Sequence, residues 1–285
     1  MKLGIGTANL SQKYGFKNSK IKKKEIFEIF EFIKKNRIDL IDTASIYGNS
    51  EKIIGSQKLK KQKIVTKIYV QNKRYPEKNL KYIFKKNLNR LKKKKIYCLL
   101  IHNIYDLKKD KRISLLENLK SLKKNKMIEK IGFSIYSPID LKYFQYYFTP
   151  DILQIPMNII DRRFENKFFQ RYVFKNKIEI HSRSCFLQGL LIDYEKNNSK
   201  FSKFKKWGHL FNKLDNFCEK FSITRQEACI LYLKKIKMIK YVIFGFENIK
   251  QLKMIYYSFT NNFKKLKFPK SLSSKDEKLI DPRKW

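Results

Sequence analysis

Eight short apolar runs recur along the chain, at residues 2–8, 38–42, 63–67, 96–102, 130–134, 151–156, 177–181 and 241–245. Runs this short, apolar on both faces, read as strands of a buried parallel sheet. Between them the period lengthens. Residues 25–35 place Ile26, Phe27, Ile29, Phe30 and Ile33 at helical spacing. Gly48-Asn49-Ser50 offers turn and N-cap chemistry for a helix running through Ile53 and Ile54. Pro76 opens a helix with Leu80, Ile83, Phe84, Leu88 and Leu91 on one face. Leu115, Leu116, Leu119 and Leu122 mark the next, and Pro138 begins one through Leu141, Phe144 and Tyr147. A helix around 164–174 follows, then a polar loop at 197–199, helices at 210–220 and 224–235, and a last helix over about 249–258. Residues 268–285 read as an ordered or half-ordered tail.

Strand alternating with helix means a parallel sheet. Eight such units in 285 residues, near the ~250 usual for that architecture, point to an α/β chain closed as a (β/α)8 TIM barrel. The expected organisation is a single domain over 1–285, with 260–285 as a C-terminal tail. Such barrels bind and react at the carboxyl ends of their strands. Asp42, Lys67, His102, Ser134, Gln154 and Gly245 fall there. One polar strand end is unremarkable, but a succession at the same end makes a site.

Composition adds a compartment and a question. Cys98, Cys185, Cys218 and Cys229 are scattered without a C-x-x-C pair, which suits a reduced, cytoplasmic setting. The opening Met1-Lys2-Leu3-Gly4 carries no apolar signal region, and no apolar run approaches the ~18 residues of a membrane span. The formal net charge is +41. Lys, Ile, Asn, Phe and Tyr crowd a chain with three alanines, as an A+T-rich coding sequence favours, so drift spread over the surface is one reading. A polyanion-binding role is the other, and either allows non-specific binding to nucleic acid at low salt. No nucleic-acid motif accompanies the charge.

The chemistry gathers after the second strand. Asp42 closes an apolar run, where a lone carboxylate is costly unless paired. Tyr47 follows on the loop, Lys67 ends the third strand and His102 the fourth. Lys67 alone means little in so lysine-rich a chain; the four together are a constellation. A phenol near an ammonium is expected to have its pKa lowered, with Asp42 holding the lysine. It then donates a proton to a developing alkoxide and recovers it in reverse, while His102 orients a carbonyl. No serine or cysteine has a placed base for acyl transfer. His102, His181 and His209 show no paired metal-ligand spacing. Gly4-x-Gly6 is not a dinucleotide fingerprint, since the third glycine position is Asn9 and no helix follows at once.

These residues resemble the aldo-keto reductase family. The matching motifs are Leu3-Gly4-Ile5-Gly6-Thr7-Ala8, Ile41-Asp42-Thr43-Ala44-Ser45-Ile46-Tyr47-Gly48-Asn49-Ser50-Glu51, Val65-Thr66-Lys67 and Leu100-Ile101-His102. Ile131-Gly132-Phe133-Ser134, Gln154-Ile155-Pro156-Met157-Asn158, Gln188-Gly189-Leu190-Leu191 and Val242-Ile243-Phe244-Gly245 follow in family order. The resemblance implies NADPH- or NADH-dependent reduction of an aldehyde or ketone, a sugar-derived one among the candidates. Tyr47 would be the proton donor, with Asp42, Lys67 and His102 completing the set. Ser134 and Gln154 match positions on the nicotinamide carboxamide. Gly6 and Thr7 match the first strand's share of the cofactor site, and Ser184 with Phe186, Gln188 and Gly189 the loop beside the pyrophosphate. Gly245, Asn248, Lys250 and Gln251 fall where family members meet the adenosine end. Two places depart from the pattern. Gly245 and Gln251 stand where some members have basic residues for the 2′-phosphate, with Lys250 next door as a substitute. Arg183 stands where a tyrosine commonly stacks on the nicotinamide. It either stacks there, disfavouring the oxidised ring, or meets a substrate carboxylate or phosphate. A nicotinamide-binding regulatory protein with little turnover is the alternative function on the same barrel.

Overall fold

The computed structural model describes residues 1–69, 80–107, 112–261 and 264–285. Its strands are β1 (Lys2–Gly6), β2 (Leu40–Asp42), β3 (Lys63–Ile68), β4 (Ile96–Ile101), β5 (Ile128–Ser134), β6 (Ile152–Pro156), β7 (Glu179–Arg183) and β8 (Ile239–Phe244). Each pairs in parallel with its sequence neighbours, and β1 closes the barrel on β8. The α-helices are α1 (Lys23–Lys35), α2 (Ser50–Ser56), α3 (Leu80–Leu91), α4 (Arg112–Lys124), α5 (Lys167–Lys175), α6 (Leu190–Asp193), α7 (Gly208–Lys220), α8 (Arg225–Lys234), α9 (Ile249–Asn261) and α10 (Glu277–Ile280). No helix among the described residues is long and apolar enough to cross a membrane.

The strands bury both faces, so they read as apolar runs rather than alternating ones. Leu40, Val65, Cys98, Leu100, Ile152 and Ile243 form a small separate cluster with Tyr97 and Tyr241. The larger core joins the helices to the other strand face, through residues such as Leu119, Phe169 and Leu252. Packing inside the barrel is close. A side chain on Gly4 would meet Ile243 Cδ1 at 2.6 Å and Leu40 Cδ2 at 2.9 Å.

Three expectations shift. Residues 177 and 178 close α5 instead of opening a strand: Lys177 takes φ 52° and the Ile178 amide donates to Val173 O. The seventh strand therefore starts at Glu179 and carries Arg183 at its end. Residues 138–147 do not sustain a helix. A 3-10 turn, Pro138–Tyr143, ends there because Ile139, Tyr146 and Tyr147 are exposed and no single apolar stripe exists. Beyond the polar loop, Asn198 caps a 3-10 helix, Ser199–Trp207, which buries Phe201, Phe204 and Trp207 at a spacing of three. The tail is ordered: Leu279 and Ile280 are buried, and the Trp285 ring packs edge-on to Phe204 at 4.9 Å. The helix start expected at Pro76 lies outside the described residues.

Polar residues lie at the amino ends of the strands. Glu179 accepts hydrogen bonds from Tyr97 at 3.0 Å and Lys130 at 2.5 Å, and His181 Nε2 lies 2.8 Å from it. Tyr241 donates to Asp39 at 3.0 Å. Burial pushes the Glu179 pKa up, but His181 and Lys130 outweigh it and hold it at about 2. A carboxyl depressed below its unfolded value stabilises the fold above that value and loses the contribution as pH falls. We expect about 1–3 kcal/mol of stability to disappear between pH ~4.5 and ~2. Urea unfolding across that range should show a flatter acid limb in Glu179→Gln. An unchanged limb would remove Glu179 from the account.

Candidate active site

The site grows from the end of β2. Thr7 holds the Asp42 carbonyl with its amide at 3.1 Å and its hydroxyl at 2.9 Å, joining β1 to β2. The Asp42 side chain is committed on both oxygens. Lys67 Nζ donates to Oδ2 at 2.5 Å and Gln154 Nε2 to Oδ1 at 2.7 Å. Lys67 also donates to Thr43 O at 2.9 Å. Both charges are buried, where only such complete pairing makes them tolerable.

The loop from β2 to α2 delivers Tyr47, and its neighbours in the motif anchor it. Ser50 donates to Thr7 O at 2.9 Å, and Thr66 donates to the buried Glu51 at 2.7 Å. Ser11 donates to Tyr47 O and accepts from the Asn49 amide, each at 2.7 Å. Gly48 takes φ +56°, and a Cβ there would run into Ser11 Oγ at 2.5 Å. Tyr47 is thereby held with Lys67 Nζ 5.4 Å from its ring centroid and the His102 ring edge-on at 6.3 Å. Tyr14 approaches from the other loop, its ring centroid 6.4 Å away.

Burial sets the protonation states. It pushes the Tyr47 phenol well up, with Tyr14 and Asp42 adding to the rise and Arg183 opposing it. It pushes Lys67 down, against the pull of Asp42. It brings His102 down to about 2, helped by Lys67 and Arg183, so the imidazole is neutral at physiological pH. The expectation that Lys67 lowers the phenol's pKa is therefore reversed in this structure. Desolvation of a phenolate dominates, and Tyr14 and Asp42 add to it. The phenol keeps its proton, which is the state a proton donor must start from.

A cleft of about 300 Å³ opens over these groups. Gly6, Thr7, Asp42, Tyr47, Lys67, His102 and Gln154 line its floor from β1 to β6. Arg183 lines it from the end of β7, and Ser184, Phe186, Gln188 and Gly189 from the turn that follows, which is held in left-handed backbone at Ser184, Leu187, Gln188 and Gly189. Gly245 and Gln251 complete that side. Ser134, Asn248 and Lys250 do not line it. Ser134 pairs in register with Gln154, which does line it, and Asn248 accepts from the Gln251 amide at 2.8 Å at the start of α9. Lys250 is exposed. Lys17 reaches across this side to Asp193 at 2.9 Å and Glu247 at 3.7 Å.

Sequence reasoning missed Tyr14, Tyr136, Glu247 and Arg283, all of which line the cleft. For Arg283 a signal existed. Asp281-Pro282 is an N-cap followed by a first-turn proline, and it forms the last 3-10 turn. For the others no local pattern exists, because loops converge only when the barrel closes.

Ser134 Oγ and Gln154 Oε1 are buried with no hydrogen-bond partner among the described residues. A hydroxyl and an amide oxygen left open on paired strand positions suit an amide ligand, which both accepts and donates. The residues present thus fit a nicotinamide carboxamide.

The sequence matches the aldo/keto reductase family model over residues 2–272. No protein of curated function matches it significantly. Among solved structures it is similar to an aldo-keto reductase from Bacillus halodurans in its holo form, with TM-score 0.73, 18% identity and coverage of 93% of this chain and 88% of that one. A glycerol dehydrogenase from Gluconobacter oxydans gives 0.71, 19% identity, and 93% and 87% coverage. At these identities the likeness speaks for the shared barrel.

Proposed function

This chain belongs to the aldo/keto reductase family, and on that premise we propose that it reduces an aldehyde or ketone to an alcohol, with Tyr47 as the proton donor. The observation that carries the proposal is the convergence of a protonated phenol and a neutral imidazole over the buried Lys67–Asp42 pair. When bound, NADPH or NADH supplies the hydride for the carbonyl carbon. Ser134 and Gln154 would hold its carboxamide, Gly6 and Thr7 border it, and the turn from Ser184 through Gly189 would run beside the pyrophosphate. Neutral His102 donates an N–H to the substrate carbonyl oxygen and orients it. Tyr47 gives its proton to that oxygen as charge develops there. Lys67 then stabilises the phenolate left behind, and Asp42 keeps the ammonium in place. Four buried free cysteines suit a reduced compartment, and a cytoplasmic setting belongs to this reading.

Quenching of intrinsic fluorescence by NADPH or NADH, followed by cofactor oxidation with generic aldehydes, tests the proposal. Quenching without turnover of any carbonyl would leave only a nicotinamide-binding protein.

Cofactor choice rests on Lys250 as the cation for the 2′-phosphate of NADPH. Glu247, which lines the cleft nearby, opposes it. An exposed ion pair contributes at most about 1 kcal/mol, so Lys250→Ala should weaken NADPH about 3–5-fold and leave NADH unaffected. Equal losses, or none, would make NADH the equal candidate.

A further inference from the structure

Resting on the reductase reading above, we propose that the substrate carries an anionic group, a carboxylate or a phosphate, bound at the cleft by Arg183 and Arg283. Two arginines far apart in sequence pack on one ring. The guanidinium carbon of Arg183, at the end of β7, lies 4.1 Å from the Tyr136 ring centroid. That of Arg283, in the last turn of the chain, lies 3.4 Å from it. All three residues line the cleft that contains Tyr47, Lys67 and His102. Like charges gathered on one ring repel, and the ring's electron-rich face offsets only part of that. An anion at the ring's edge meets both guanidiniums, whose planar forks match carboxylate and phosphate oxygens.

The protein's own carboxylates fill this role only in part, at Arg283. Among the described residues Asp42 and Glu247 line the cleft. Asp42 has both oxygens on Lys67 and Gln154, and Glu247 lies after β8 beside Lys17. Asp281 does engage Arg283, with Nε donating to Oδ1 at 2.9 Å and Nη2 to Oδ2 at 2.5 Å. That carboxylate is buried, so it anchors one edge of the guanidinium and fixes its plane on Tyr136. Arg183 has no carboxylate within ion-pair distance among the described residues. It donates to Ser184 Oγ and Ile135 O, each at 3.4 Å, bonds long enough to yield to a charged acceptor.

The Arg283 side of the ring suits a substrate rather than the cofactor. Arg283 is close enough to Tyr69 and Tyr105 for its charge to be felt there, and Tyr136 lies against it. Those tyrosines follow β3, β4 and β5. The turn assigned to the pyrophosphate follows β7, and the adenosine side follows β8. Tyr69 also packs on His102, at 4.5 Å between centroids, so the arginine side adjoins the group that orients the carbonyl.

The test compares kcat/KM for matched aldehydes: succinic semialdehyde against butanal, and glyceraldehyde phosphate against glyceraldehyde. The wild-type protein should favour the anionic member of at least one pair by about 10-fold or more, through KM, and the favoured pair identifies the anion. Arg183→Gln and Arg283→Gln should each reduce that ratio about 10-fold. Equal kcat/KM within both pairs, or a ratio that survives both variants, overturns the proposal. So does an Arg183→Gln that leaves the ratio intact and changes only the gap between oxidised and reduced cofactor affinity, since Arg183 then stacks on the nicotinamide. Failure to turn over any aldehyde defeats the reductase reading instead. Calorimetric binding of succinate and glycerol phosphate then decides the anion site alone: binding weakened about 10-fold in Arg283→Gln supports it, and no binding to the wild-type protein overturns it.

Discussion

Tyr47→Phe is expected to lose about 10²-fold or more in turnover while binding the nicotinamide cofactor nearly as the wild type does. The substitution removes one hydroxyl and keeps the ring. The ring contacts with Tyr14, His102 and Lys67 survive, so the fold and the cleft should survive with them. Lost with the hydroxyl is the protonated phenol that burial maintains. His102 cannot replace it as an acid, since its imidazolium forms only near pH 2. A Phe variant with wild-type turnover would remove the assigned role.

Lys67→Met should have a similar effect on turnover and a larger one on stability. It leaves the Asp42 carboxylate buried, with Gln154 as its remaining side-chain partner. Removing one member of a buried ion pair typically costs about 3–5 kcal/mol, so the urea midpoint should fall clearly. Asp42→Asn combined with Lys67→Met removes both charges and should recover much of that stability without recovering activity. Recovery of both would mean that the lysine serves only the fold. Tyr47→Phe combined with Lys67→Met should lose little more turnover than either alone, because phenol and ammonium act as one unit. Additive losses would count against the coupling.

The barrel was legible because its strands are buried on both faces. Runs such as 38–42 and 96–102 carry their signal locally, and their polar ends put Asp42, Lys67 and His102 on one rim before any contact is known. Ser50 and Glu51 were legible as a helix start, but not as the clamps that hold Tyr47 to β1 and β3. The seventh strand was misplaced by two residues because Ile178 is equally apolar as the cap of α5. The direction of the Tyr47 shift was not legible either. It depends on desolvation and on the nearness of Tyr14 and Asp42, both consequences of three-dimensional packing. Arg283 stands beside Tyr136 only because Leu279, Ile280 and Trp285 dock the tail. Phe201, Phe204 and Trp207 did carry a signal at a spacing of three, which a search for helical period passes over.

The central claim is that the proton comes from the neutral phenol of Tyr47, not from an imidazolium at His102. The measurement that tests it most directly is the single-turnover rate of cofactor oxidation by one aldehyde as a function of pH, in the wild-type protein and in Tyr47→Phe. With Tyr47 raised and His102 at about 2, the account predicts a wild-type rate flat across neutral pH, and a Tyr47→Phe rate lower by about 10²-fold throughout. A wild-type rate that falls as pH rises through about 6.5, the ordinary histidine value, and persists in Tyr47→Phe would contradict it.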